Sequence, residues 1–225
     1  MMVTERLSRL RAAMEGAGLD CFVVTGAANR LYQSGFTGDD GILVISGEQQ
    51  LLFTDFRYME QAREEAPICT LRQLGRNLLP EFAGWLAGAG YSRIGFESAH
   101  WSLADYQVLS GQVPAERLVP LTGMVEWLRF VKEPAEVEKI ARAAAITDRA
   151  WARLIPAIEE GVLERDLAAE LDYLLRREGA DGTSFSTIVA SGPRGALPHG
   201  VASDRRIVRR DMVVFDFGAQ YQGYA

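Results

Sequence analysis

The run SFSTIVASGPRGALPHGVASDRRIVRRDMVVFDFGAQYQGYA, residues 184–225, reads as two short strands, around Thr187 to Ala190 and Met212 to Asp216, joined by a loop containing Gly and Pro. Met212 to Phe215 is an apolar strand of the buried type, and it delivers Asp216 at its end, ahead of Phe217, Gly218 and Ala219 and a turn at Tyr221, Gly223 and Tyr224. A carboxylate so placed is costly to bury unless something cationic pairs with it. Asp216 is therefore a metal ligand or a turn acceptor, and a surface carboxylate is the least expected of its roles. His199, between Pro198 and Gly200, lies in a turn that fixes the imidazole near whatever lies across the loop; taken alone, such a histidine is a solvated side chain. Arg205, Arg206, Arg209 and Arg210, just before Asp211, read as a solvated basic loop in preference to a binding site for a substrate carboxylate.

Upstream of this run the pattern is helical. Glu133 and Pro134 open a long helix, because proline at the first turn lacks only an N–H that would be unpaired anyway. Val137, Ile140, Ala144, Trp151, Leu154 and Ile158 mark its apolar face. A second helix, Glu164 to Glu178, carries Leu167, Leu171, Leu174 and Leu175 and ends at Gly179 as a C-terminal glycine should. A domain boundary near residue 130 follows, with residues 1–130 and 131–225 as the two domains.

The first part alternates helix and strand. Thr4 caps a helix through Leu7, Leu10 and Met14 that ends at Gly16 and Gly18, before the strand Cys21 to Val24. Ile42 to Ile45 and Leu51 to Phe53 flank Gly47 and Glu48 as a hairpin, so the sheet is mixed. Helices are expected at Tyr58 to Glu65, Leu78 to Ala87 and around Leu103, Tyr106 and Leu109, with a strand at Ile94 to Phe96. The class is α/β (α+β). His100, in a loop beyond Glu97, reads as plain surface.

Composition excludes several functions. The 225 residues carry 30 acidic and 24 basic side chains, a net charge of -6, so the electrostatic footprint of a nucleic-acid binder is missing. At 48% hydrophobic and 24% charged, the chain has material for a packed core. Cys21 and Cys69 show no CxxC spacing and read as free, buried thiols of a reducing compartment. No signal-type apolar segment and no membrane-length apolar run occurs, so a cytoplasmic location with no membrane partner is expected. A GxSxG elbow, an HExxH helix, a P-loop and a GxGxxG after a strand are all lacking.

Several segments in order resemble the creatinase and prolidase metallopeptidase family, whose catalytic domain is the "pita-bread" fold. They are Val131-Lys132-Glu133-Pro134 with its helix, Gly179 to Ser186, Ser191-Gly192, Pro198-His199, and Asp216-Phe217-Gly218-Ala219 with Gly223-Tyr224. Tyr32, Gly35 to Gly38 and the Thr54, Asp55, Arg57, Tyr58 run resemble the family's N-terminal domain. The last three residues would form a structural or subunit-contact patch.

The resemblance implies a creatinase-like N-terminal domain followed by the first half of a pita-bread domain. It also implies a homodimeric Xaa-Pro aminopeptidase acting on proline-containing peptides, with an Xaa-Pro dipeptidase as the close alternative. A metal-free creatinase-like amidinohydrolase, against which Asp216 argues, and a non-catalytic interaction protein are further alternatives. Members use two divalent ions, Mn²⁺, Co²⁺ or Zn²⁺, held by two Asp, one His and two Glu. Asp216 matches the first Asp; the others are expected beyond Ala225, so residues 1–225 alone would hold no metal tightly. His199 matches a substrate-site imidazole that hydrogen-bonds the reacting carbonyl or shuttles a proton, and it is not the metal-ligating histidine.

Overall fold

The strand β1 (Cys21–Val24) offers water no polar side chain, and in the computed structural model, which describes residues 2–225 and side chains from Thr4 onward, it is buried along its whole length. Both its edges are paired, antiparallel to β2 (Ile42–Ser46) and parallel to β5 (Ile94–Glu97). The hairpin partner β3 (Gln50–Asp55), then β4 (Thr70–Leu74) and β6 (Leu118–Leu121) complete a six-stranded mixed sheet in the order β4-β3-β2-β1-β5-β6. Side chains alternate across it as the pleat requires. Phe22 and Val24 face a layer with Leu7, Leu10 and Met14 of α1 (Met2–Gly16), Tyr32 of α2 (Ala27–Ser34), Ala62 of α3 (Met59–Glu65) and Val125 of α6 (Met124–Phe130). Cys21 and Val23 face Phe82 and Leu86 of α4 (Leu78–Gly88) and Leu109 of α5 (Leu103–Ser110). Helix α1 starts at Met2, so Thr4 lies within its first turn and is not the cap; its carbonyl accepts a hydrogen bond from Ser8 Oγ at 3.1 Å.

Met1–Val131 and Lys132–Ala225 are separate compact units. In the second, α7 (Pro134–Leu154) packs on α8 (Glu164–Arg177), with Ala143, Ile146, Ala150 and Leu154 buried against Leu167, Leu171 and Leu174. Of the expected face, Leu154 is buried here, and Trp151 and Ile158 pack against the same cluster. Val137 is 53% exposed and Ala144 is exposed, because the small side chains of Ala143 and Ala150 face α8 instead. Gly179 follows α8 with φ 105°, a conformation that only glycine adopts without strain. Two short ladders complete the unit: β7 (Gly182–Thr183) with β10 (Ala219–Gln220), and β8 (Ile188–Ser191) with β9 (Val213–Asp216), both antiparallel. Among the described residues no helix is long and apolar enough to cross a membrane.

Candidate functional site

Within residues 1–225, strand β9 is half-buried at Val213 and Phe215 and exposed at Val214 and Asp216. It pairs with β8 alone in a two-stranded sheet, and its residues alternate between half-buried and exposed. Phe215 turns towards α7 and meets Trp151 edge-on at 5.0 Å between ring centroids. Met212, Val214 and Asp216 point the other way and are exposed, Met212 at 78%. The segment after Asp216 is held firmly. Phe217 packs on Trp151 at 5.6 Å, the Gly218 carbonyl accepts from Ser184 N–H at 2.9 Å, and Ala219 N–H donates to Thr147 Oγ1 at 3.0 Å. A Cβ on Gly218 would lie 2.5 Å from Ser184 Oγ, so the close approach of these segments uses the missing side chain.

The loop carrying His199 returns to the same ladder. After β8 the chain makes a 3₁₀ turn over Gly192–Ala196, passes Pro198-His199, and bridges back at Val201 to Ile188. Ile188 is paired on its other side with Asp216. Val201, Ile188 and Asp216 thus lie abreast with side chains on one face. At a strand spacing of about 4.8 Å, the backbones at 201 and 216 are roughly 10 Å apart. His199, two residues before Val201, is exposed. Behind it the loop presses onto β8: a Cβ on Gly200 would sit 3.1 Å from that of Ala190.

Both arms of the loop converge on Glu164, the first residue of α8, which is completely buried. One carboxylate oxygen accepts from Ser191 N–H and Ser191 Oγ, each at 2.7 Å. The other accepts from Ser203 N–H at 3.1 Å, Ser203 Oγ at 2.6 Å and Arg194 Nε at 3.0 Å. Burial by itself would push this carboxyl up, but the bonds from Ser203 and Ser191 prevail and hold it down at about 2. The backbone is stitched in the same way, Glu164 N–H donating to Arg205 O and Arg165 N–H to Ser203 O. Sequence reading treated Glu164 only as a helix start. A glutamate in the first turn ahead of leucines at helical spacing is ordinary, and the serines that meet it are distant in the chain.

The arginine run does not behave as one solvated group. Arg205 turns inward onto Ser191 Oγ and pairs with Asp211 at 2.5 Å, and Arg206 donates to Gly161 O at 2.7 Å. Arg209 and Arg210 are exposed. In the first unit, buried Asp55 is gripped by Arg57, whose Nη2 also reaches Asp40 at 2.6 Å, and Tyr58 meets Phe36 edge-on. This run therefore braces the loop before β2.

Among the described residues, Glu97, His100 and Glu126 are the one group of three metal-ligating side chains that gathers closely. His100 is thus more than plain surface, its Nε2 lying 3.2 Å from Glu126 Oε1. The Asn29 amide nitrogen already donates to Glu97 and to Glu126, each at 2.6 Å, and Arg129 donates to the Asn29 oxygen at 2.7 Å. That amide stands between the two carboxylates. Burial raises the Glu126 carboxyl, yet the Asn29 bond and His100 bring it below its ordinary value. Around Asp216 no such group forms among the described residues. Its carboxylate is one suitable donor for a divalent ion.

Residues 6–131 match the Creatinase/Prolidase N-terminal domain, and residues 138–225 match Metallopeptidase family M24. The chain belongs to the creatinase/prolidase metallopeptidase family, as the fold and the motifs around His199 and Asp216 led one to expect. It is 38% identical to the uncharacterized peptidase YqhT of Bacillus subtilis over 97% of its own length and 62% of that relative's. Among solved structures, an Xaa-Pro dipeptidase from Bacillus anthracis superposes with a TM-score of 0.91 at 38% identity, covering 98% of this chain and 62% of that one. An X-Pro aminopeptidase from Thermotoga maritima superposes with a TM-score of 0.85 at 36% identity, covering 96% and 61%. The chain therefore spans about 62% of the length of the relatives it matches.

Proposed function

We propose that the full-length protein hydrolyses the peptide bond between an N-terminal residue and proline. The observation that supports this reading most is the pairing of Ile188 with Val201 on one side and Asp216 on the other, which sets the His199 loop and the Asp216 carboxylate along one open face. In this reading Asp216 is a metal ligand whose partners lie in the part of the relatives' length that residues 1–225 do not span. His199, an exposed imidazole, donates a hydrogen bond to the carbonyl oxygen as charge develops on it. A pair of Mn²⁺, Co²⁺ or Zn²⁺ ions would supply hydroxide near neutral pH.

Release of the first residue from longer peptides is the first reading, which the motifs within residues 1–225 do not separate from the second. Cleavage of the Xaa-Pro dipeptide is the second reading, supported by the likeness to the Bacillus anthracis Xaa-Pro dipeptidase. The same proposal makes the protein a homodimer of the reducing cytoplasm, in keeping with its two free cysteines.

The test is hydrolysis of Xaa-Pro, Xaa-Pro-Yaa and Xaa-Ala-Yaa by the full-length protein, with Mn²⁺ and after chelation. Proline-dependent turnover lost in chelator is expected, and the ratio of the first two substrates separates the two forms. Equal turnover of all three, or full activity in chelator, would sink the proposal. His199→Ala should lower kcat by roughly 10² with metal content retained, whereas Asp216→Ala should lose metal first.

A further inference from the structure

We infer that Glu164 is a positioning residue for His199, acting through the loop between β8 and β9; the inference rests on the proposed role of His199 at the reacting carbonyl. The His199 imidazole is carried on a loop that is exposed from Leu197 to His199. Such a group is useful only when held close to the productive geometry, within about half an ångström.

The structure answers this with one buried carboxylate that takes donors from both arms. Ser191 and Arg194 come before the histidine, and Ser203 comes after it. Arg194 also reaches across to the Val201 carbonyl at 2.6 Å, closing the base of the loop two residues beyond His199. Arg205 ties Ser191 from the opposite side while paired to Asp211. Glu164 itself sits on the first turn of α8, whose leucines are anchored in the core, so the clamp is mounted on a rigid element. Loss of the charge would leave Ser191 and Ser203 N–H groups facing an amide that cannot accept at both of its ends. The loop arms would then be free to part, and the imidazole with them.

The experiment is a double-mutant cycle in the full-length protein, with Glu164→Gln and His199→Ala made singly and together. For Glu164→Gln, kcat on an Xaa-Pro substrate is expected to fall about tenfold or more, with KM and bound metal within about twofold of wild type. The double variant should be no slower than His199→Ala alone. Hydrogen exchange of amides 192–203 should accelerate in Glu164→Gln while the amides of α7 keep their protection.

Unchanged kcat in Glu164→Gln, or a loss that multiplies with that of His199→Ala, would overturn the positioning role and leave the reading of His199 standing. Wild-type kcat in His199→Ala would remove that reading and this inference together. If Glu164→Gln does not fold, Ser203→Ala removes one donor and keeps the carboxylate. It should lower kcat about threefold, again without effect in the His199→Ala background, and an additive loss there overturns the inference equally.

Discussion

Strands β1 and β9 are each four residues long and read alike, Cys21-Phe22-Val23-Val24 against Val213-Val214-Phe215-Asp216, yet the first is buried throughout and the second alternates between half-buried and exposed. The difference is one of neighbours. β1 has a strand on each edge and a helical layer on each face; β9 has one paired edge and one covered face, where Phe215 meets Trp151. Residues 1–225 span about 62% of the relatives' length, and the exposure of β9 is that of this part alone. The uncovered side of β9 carries Asp216, and function is proposed there.

The largest effect should come from shortening a β1 side chain. Phe22→Ala removes a ring that is 1% exposed and should cost about 3–5 kcal/mol in denaturant unfolding of residues 1–225. A loss below about 1 kcal/mol would mean that the layer between β1 and α1 is loosely packed.

A middle-sized effect is expected in acid. The Glu164 carboxyl is held below its ordinary 4.5, at about 2, so its stabilising contribution is complete above about pH 4.5 and is lost as pH falls through about 2. Arg205 likewise lowers Asp211, so the ties around the β8–β9 loop weaken over the same direction of pH. Amide protection of residues 188–216 should therefore fall between about pH 4.5 and 2, and Glu164→Gln should flatten that slope. A slope unchanged in Glu164→Gln would assign the acid sensitivity elsewhere. The smallest effect belongs to Met212, 78% exposed just before β9, where Met212→Ser should change stability by no more than about 0.5 kcal/mol. A cost near that of Phe22→Ala would erase the contrast between the strands.

Much of the architecture could be read from local patterns. The hairpin of β2 and β3, the proline that opens α7 and the glycine after α8 each depend on residues close together in the chain, and each is found where expected. The family motifs around His199 and Asp216 were likewise visible as contiguous runs. Three features were not. The buried face of α7 is set by contact with α8, which places Ala143 and Ala150 inward and leaves Val137 out. The environment of His100 depends on Glu126, 26 residues away, and on an asparagine from α2. The Glu164 clamp joins a helix start to serines 27 and 39 residues later.

By itself, then, the sequence determined the class of fold, the mixed sheet and the helices of the second unit, and it named His199 and Asp216 as candidates. Those rest on periodicity, turn chemistry and short motifs, which act over a few residues. Only the tertiary structure decided that Asp216 would lie on the side of β9 away from Trp151, that Asn29 would stand between Glu97 and Glu126, and that Glu164 would gather both arms of the His199 loop. Each of these is a contest for hydrogen bonds and covered surface among segments distant in the chain, and it is settled by which groups the packed fold brings within reach.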